Sequence, residues 1–376
     1  MKLLHVTQIH WYNAEVQYAY DLAEAQAKRG CEIHVLTRAN SLSARVAAER
    51  GFRVIGEDGF NAKGLGFWKA LPASGRFKEL LKREKYDAVI VHRSEGLPFI
   101  AYAAKSLGVP VIRVRGDMRP VRSDPLNRFV YRKLLSGVVA SNASIEKDLR
   151  DRLGALPRLV TIHGGVDARE FSDEGSKAAI RSELSFPEDT FLVGLLGRLG
   201  DVKGHVHFLE GARLALLEKE NLGFVLLVKN LAENDVMKAV RKKISSDPSL
   251  ERAVRITGRR PDLPAVLRSF DLGVVASTGS EANCRVGLEW MACGVPLLAT
   301  RIGVLPDLVE EGVNGLLVPP ADPPAMAKGI LDMVKAPERR SRMGREARRI
   351  VAERFTVERL ALEHEKLLKD ILSAGR

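Results

Sequence analysis

Short apolar, β-branched runs alternate with longer helix-patterned segments along this chain, and the alternation starts over once near its middle. A strand, a helix and a second strand in succession give a parallel pair, because the helix carries the chain back across the sheet. In the first series residues 3–7, 31–37, 88–92, 109–114 and 137–141 read as strands. Residues 14–29 read as a helix stopped by Gly30. The second series has strands at 191–197, 224–228, 254–257, 272–276 and 297–300, with helices at 203–219, 233–245 and 262–269. Together they predict two α/β domains, each built on a doubly wound parallel sheet, and no short-period repeat.

A length of 376 residues suits two such domains. The polar, turn-rich stretch 167–190 (Asp167, Asp173, Glu174, Gly175, Pro187, Glu188) marks the seam. The first domain is therefore expected at 1–170 and the second at 171–355. An amphipathic helix over 357–372, with Leu360, His364, Leu367 and Leu368 on one face, occupies the last segment, 356–376. No apolar run reaches the roughly 18–20 residues of a membrane span, and Met1-Lys2 leads into a short strand without a signal-peptide pattern. Cys31, Cys284 and Cys293 are too scattered for a disulfide framework, which predicts a reducing, cytoplasmic location. Charge is uneven. Lys and Arg outnumber Asp and Glu by 28 to 18 in residues 1–170, but by only 31 to 29 in the remainder. Such a bias suits an acidic partner: an anionic membrane surface, a phosphorylated glycan or a nucleic acid.

Two segments carry the chemistry. Glu281 and Glu289 bracket Ala282-Asn283-Cys284-Arg285-Val286-Gly287-Leu288, one acid before a helix and one inside it. Carboxylates accept hydrogen bonds from vicinal diols, and a helix N-terminus offers free N–H groups to an anion, so a ligand with hydroxyls and phosphates fits. The second segment, Gly197-Arg198-Leu199-Gly200-Asp201-Val202-Lys203-Gly204, follows a strand and precedes a helix. It places Arg198 and Lys203 at the carboxyl end of a strand, where open α/β sheets bind ligands, and two cations there would neutralise a diphosphate. The spacing is neither that of a Walker loop nor of a dinucleotide fingerprint. No Ser-His-Asp, Cys-His or Asp-x-Asp arrangement stands out, and His205-x-His207 lacks a third ligand, so no metal or other cofactor is expected.

With these segments in order, the chain resembles the retaining glycosyltransferases of family 4. The likeness extends through Leu288-Glu289-Trp290-Met291-Ala292-Cys293-Gly294-Val295-Pro296, Glu310-Glu311-Gly312-Val313-Asn314-Gly315-Leu316-Leu317-Val318, and upstream Ile162-His163-Gly164-Gly165-Val166-Asp167 with Phe171. The resemblance implies the GT-B fold, an α/β architecture of two Rossmann-like domains facing across a cleft, with the last helix crossing back to the first domain. It implies a nucleotide-sugar donor held by the second domain. Arg198 and Lys203 then match the pair on the donor diphosphate, and Glu289 the acid that accepts the ribose hydroxyls. Glu281 matches the acid facing the transferred sugar. Asn283, Cys284, Arg285 and Val286 match the stretch whose backbone approaches phosphate and sugar, and Arg259 the contact to the base. The mechanism implied is front-face transfer, with the departing phosphate helping to deprotonate the acceptor.

The chain also departs from that pattern. Its first strand leads into Thr7-Gln8-Ile9-His10-Trp11-Tyr12-Asn13-Ala14 without the usual paired glycines, and Val228-Lys229-Asn230 stands where a Gly-x-Gly often follows. The histidine often found at the end of a first-domain strand is missing from Val111-Ile112-Arg113-Val114-Arg115-Gly116-Asp117-Met118-Arg119-Pro120. Asp117 is the candidate for its catalytic place. Arg115 and Arg119 are candidates for an acceptor phosphate, with His92 and Trp11 as further acceptor contacts. A looser likeness to enzymes of bacterial lipopolysaccharide core and surface-glycan synthesis suggests a glycan or glycolipid acceptor. It also suggests a peripheral place on the cytoplasmic face of the inner membrane. Alternatives are a nucleotide-sugar epimerase or sugar phosphorylase of the same fold, and a basic nucleic-acid-binding protein. The last lacks zinc spacing, basic heptads and an aromatic–glycine RNA-binding run.

Overall fold

The computed structural model describes residues 1–61, 70–171, 178–228, 231–258 and 260–374. The chain divides into two units: unit 1 comprises Met1–Gly165 with Val357–Arg376, and unit 2 comprises Val166–Thr356. The division falls at Gly165, just before the polar stretch 167–190, of which Asp173, Glu174 and Gly175 lie outside the described residues.

In unit 1 seven strands form one parallel sheet: β1 Lys2–Thr7, β2 Glu32–Thr37, β3 Arg53–Gly56, β4 Ala88–Val91, β5 Val111–Arg115, β6 Gly137–Ala140 and β7 Leu159–Thr161. Their order is β3-β2-β1-β4-β5-β6-β7, so the direction of winding reverses between β1 and β4. The helix Ala14–Lys28 starts where the Asn13 side chain accepts a hydrogen bond from the Val16 N–H at 3.1 Å. Its apolar face meets the sheet and the C-terminal helix Val357–Ala374, burying Leu22, Ala23, Ile90, Ile112, Leu367 and Ile371 in one core. Arg29 clasps Glu365 of that helix through two hydrogen bonds, at 2.6 and 3.0 Å.

Six parallel strands make the sheet of unit 2: β8 Phe191–Gly197, β9 Leu222–Val228, β10 Val254–Thr257, β11 Leu272–Val275, β12 Leu297–Thr300 and β13 Gly315–Val318. The order β10-β9-β8-β11-β12-β13 reverses between β8 and β11. Each face of this sheet carries its own core, as a fully covered parallel sheet requires. At the centre of one core lies Trp290, fully buried on the helix Arg285–Ala292. Two facing strands are notched to receive it. A Cβ on Gly194 of β8 would lie 2.6 Å from the indole, and one on Gly273 of β11 would lie 2.5 Å from it.

Candidate active site

The switch point of unit 2 places its ligand-facing edge at the carboxyl ends of β8 and β11. Arg198 is the first residue after β8; it is exposed, and no ion-pair partner faces it among the described residues. It borders a depression of about 210 Å3 lined also by Leu199, Ala232, Glu233 and Asn234. Lys203 ends the short 3-10 turn Asp201–Lys203, and its ammonium is bound by the Glu281 carboxylate. The turn lies against the end of β11: Thr278 N–H donates to Val202 O at 2.9 Å. Gly204 makes this approach possible. Its φ is +69°, and a Cβ there would sit 1.9 Å from Ala276 O.

Glu281 is held at both ends. Ser277 Oγ donates to its Oε1 at 2.5 Å, on the same oxygen that Lys203 meets. Thr300 Oγ1 in turn donates to Ser277 O at 2.7 Å, which fixes the serine to β12. The carbonyl of Glu281 accepts from Val304 N–H at 2.9 Å, beside Gly303, where φ is +57° and a Cβ would sit 1.9 Å from that same oxygen. Only 6% of Glu281 is exposed, and the same holds for Glu289. Buried carboxylates need partners; Glu289 finds one in Arg285, at 2.8 Å one helical turn earlier. Cys284, at φ +34°, forms the N-cap position of the helix that carries Glu289. Burial, then the Glu281 charge, push its thiol well up, so the sulfur stays protonated and packs as a small apolar group. Asn283 is 7% exposed and both its amide atoms are without a partner among the described residues. Val286 is half-buried on the same helix. Arg259 lies outside the described residues, as do Lys229 and Asn230.

On unit 1, Asp117 and Arg119 pair with each other, Nε to Oδ2 at 2.8 Å. Burial raises the Asp117 carboxyl, but the hydrogen bonds and charge of Arg119 outweigh it and hold the acid below its usual range. Asp117 is thus an ionised partner of an arginine. Arg115 is buried beneath that turn and donates to Arg119 O. Trp11 is 61% exposed. His92 is enclosed: its ring stacks on His5 with centroids 5.2 Å apart, and the two rings share a 3.1 Å hydrogen bond. Ser277 and Val304 are contributors that the sequence motifs did not single out. Each sits a few residues beyond the carboxyl end of a strand. That placement is the only signal that would have found them.

No group of three or more His, Cys, Asp or Glu side chains able to hold a metal ion occurs among the described residues. No helix among them is long and apolar enough to cross a membrane.

Two doubly wound parallel units, with a cation and two buried acids gathered at one carboxyl edge, are the architecture of a GT-B glycosyltransferase. The chain belongs to that class by sequence as well: residues 176–350 match the glycosyl transferases group 1 family, and residues 16–170 match glycosyltransferase family 4. It is 31% identical over 310 residues to a D-inositol 3-phosphate glycosyltransferase of Saccharomonospora viridis, covering 79% of this chain and 68% of that one. It is 28% identical over 360 residues to the enzyme of the same name from Corynebacterium glutamicum, covering 88% and 85%. Among solved structures, Anabaena HepE in complex with UDP superposes with a TM-score of 0.85 at 22% identity, over 98% of this chain and 100% of that one.

Proposed function

We propose that this glycosyltransferase moves a sugar, with retention of anomeric configuration, from a nucleotide-sugar bound on unit 2 to an acidic glycan or glycolipid acceptor bound on unit 1. The observation that carries the reading is the convergence of Lys203 and Ser277 on one carboxylate oxygen of Glu281, at the switch point of unit 2. A diphosphate entering there meets Arg198 and draws Lys203 toward itself. Glu281 keeps Ser277 and presents its other oxygen to a sugar hydroxyl. Glu289, held by Arg285, accepts the ribose hydroxyls. As the bond between the anomeric carbon and the diphosphate oxygen breaks, Arg198 and Lys203 stabilise the charge that builds on the leaving group. The acceptor oxygen bonds to the same face of the sugar, and its proton passes to the departing phosphate oxygen.

The relatives named for inositol 3-phosphate support an acceptor that carries negative charge, and so does the basic first half of the chain. We place the reaction in surface-glycan or lipopolysaccharide synthesis, at the cytoplasmic face of an anionic membrane. The nucleotide half is tested by thermal unfolding with a panel of UDP-, GDP- and ADP-sugars. The matching donor raises the melting temperature, since it binds only the native state. A wild-type protein unmoved by every nucleotide and nucleotide-sugar would sink the assignment. Co-sedimentation with phosphatidylglycerol vesicles at low salt tests the membrane part; no association there removes it.

A further inference from the structure

Strand β5 reads Val111-Ile112-Arg113-Val114-Arg115, with β4 on one side and β6 on the other. Inner strands of a parallel sheet are normally apolar on both faces. Ile112 and Val114 obey this and pack in the core under the C-terminal helix. Arg113 and Arg115 point to the opposite face, since side chains two apart share a side. They are only 2% and 7% exposed. Arg113 Nη1 donates to two carbonyls, Val91 O at 3.0 Å and Val114 O, while its Nε has no partner among the described residues. Arg115 donates to Arg119 O, and its Nε also has none. Neither guanidinium has an ion-pair partner among the described residues. A buried cation with carbonyl partners alone is left far short of what water supplied it.

The carboxylates nearby are already committed. Glu15, in the first turn after β1, is bound by Arg93, which also holds Glu95 at 2.9 Å. Asp117 is held by Arg119. Burial pushes the Glu15 carboxyl up despite the charges of Arg93 and Arg113. Glu15, Arg93, Arg115 and Asp117 stand at or beyond the carboxyl ends of β1, β4 and β5, around the switch point of unit 1, and Arg113, midway along β5, reaches the last residue of β4 through Val91 O.

We propose that Arg113 and Arg115 are the floor of an oxyanion site at the carboxyl edge of the unit 1 sheet, which takes a phosphate or carboxylate group of the acceptor. The inference rests on unit 1 being the acceptor side of the enzyme. The planar fork of a guanidinium suits two oxygens of one phosphate or carboxylate, and each unpartnered Nε supplies a donor for it. The anion enters past the Asp117–Arg119 turn, whose backbone now occupies Arg115.

The test is thermal unfolding of the full-length protein in inorganic phosphate, with acetate as a second arm. Phosphate should raise the wild-type melting temperature saturably, by a few degrees, and the rise should survive about 0.15 M NaCl because the site is buried. Arg115→Met should abolish the rise, Arg115→Lys should keep part of it, and Arg198→Ala on unit 2 should leave it intact. A shift with phosphate alone identifies a phosphorylated acceptor, and an equal shift with acetate a carboxylate. Should Arg113→Met fail to fold, the Arg115 pair still decides. The proposal is overturned by a wild-type protein indifferent to both anions, or by a shift that Arg115→Met retains or Arg198→Ala removes. UDP added to the same samples keeps the two readings apart: stabilisation by UDP with no phosphate response ends the oxyanion site and leaves the donor site standing.

Discussion

Lys203 and Glu281 are 78 positions apart in the chain and meet at one carboxylate oxygen. The sequence offers both residues as candidates but assigns them to different parts of the ligand. Their contact couples them, so their substitutions should not act independently. Lys203→Ala and Glu281→Ala are each expected to lower kcat about 100-fold or more. The double variant should lose much less than the product of the two. Multiplicative losses in steady-state kinetics would show that the pair does not work as a unit. Glu289→Ala should behave differently, raising the donor concentration needed for half-saturation while leaving most of kcat. Arg198, Lys203, Glu281 and Glu289 were legible because their residue types and spacing recur as a pattern. Ser277 and Arg113 were not, since a serine and an arginine are common, and only burial without water makes their partners matter.

The helix Arg285–Ala292 depends on Trp290 for its seat, because the indole drops into the notch left by Gly194 and Gly273 and meets Phe270 edge-on at 5.2 Å. Trp290→Ala is expected to cost about 3–5 kcal/mol, read from urea unfolding. It should also weaken stabilisation by whichever nucleotide-sugar the thermal panel identifies, because Glu289 rides on the same helix. A variant of wild-type stability would mean that the notch does not seat the helix. Most elements follow from the apolar rhythm: the inner strands fall within a residue or two of their expected ends. The three strands the rhythm misses, β3, β7 and β13, all lie at sheet edges. They are only three or four residues long and partly exposed, so their apolar runs are too short to stand out as strands in the sequence. The helix expected to begin at Lys203 starts instead at His205, since Lys203 is drawn into a turn against β11.

At the level of the whole molecule, unit 1 closes over four buried histidines, His5, His34, His92 and His364, the last carried on the C-terminal helix. Burial pushes His5 down to about 3 and His364 to about 4, holds His92 well below its usual range, and lowers His34 as well. These groups are neutral in both folded and unfolded chains above about pH 6.5, so they cost nothing there. As pH falls below that value the unfolded chain takes up protons that the folded one refuses, and stability declines. The loss should reach a few kcal/mol, on the order of 1.4 kcal/mol for every tenfold by which folding weakens a histidine's hold on its proton. Depressed carboxylates such as Glu84, held down to about 2, lose their contribution only below about 4.5 and do not confuse the window. The urea midpoint should therefore fall steadily from pH 6.5 toward 4.5, and His364→Leu should lessen the fall. A flat wild-type profile across that window would refute the account. Two α/β units, their parallel sheets and the family to which the chain belongs were settled by the sequence alone, because apolar periodicity and motif spacing are local properties written along the chain. Only the tertiary structure decided which acid holds Lys203, that His92 is enclosed, and that Arg113 and Arg115 are buried with no ion-pair partner among the described residues. Those outcomes depend on which distant residues share a volume from which water has been excluded, and neighbours in sequence carry no record of that.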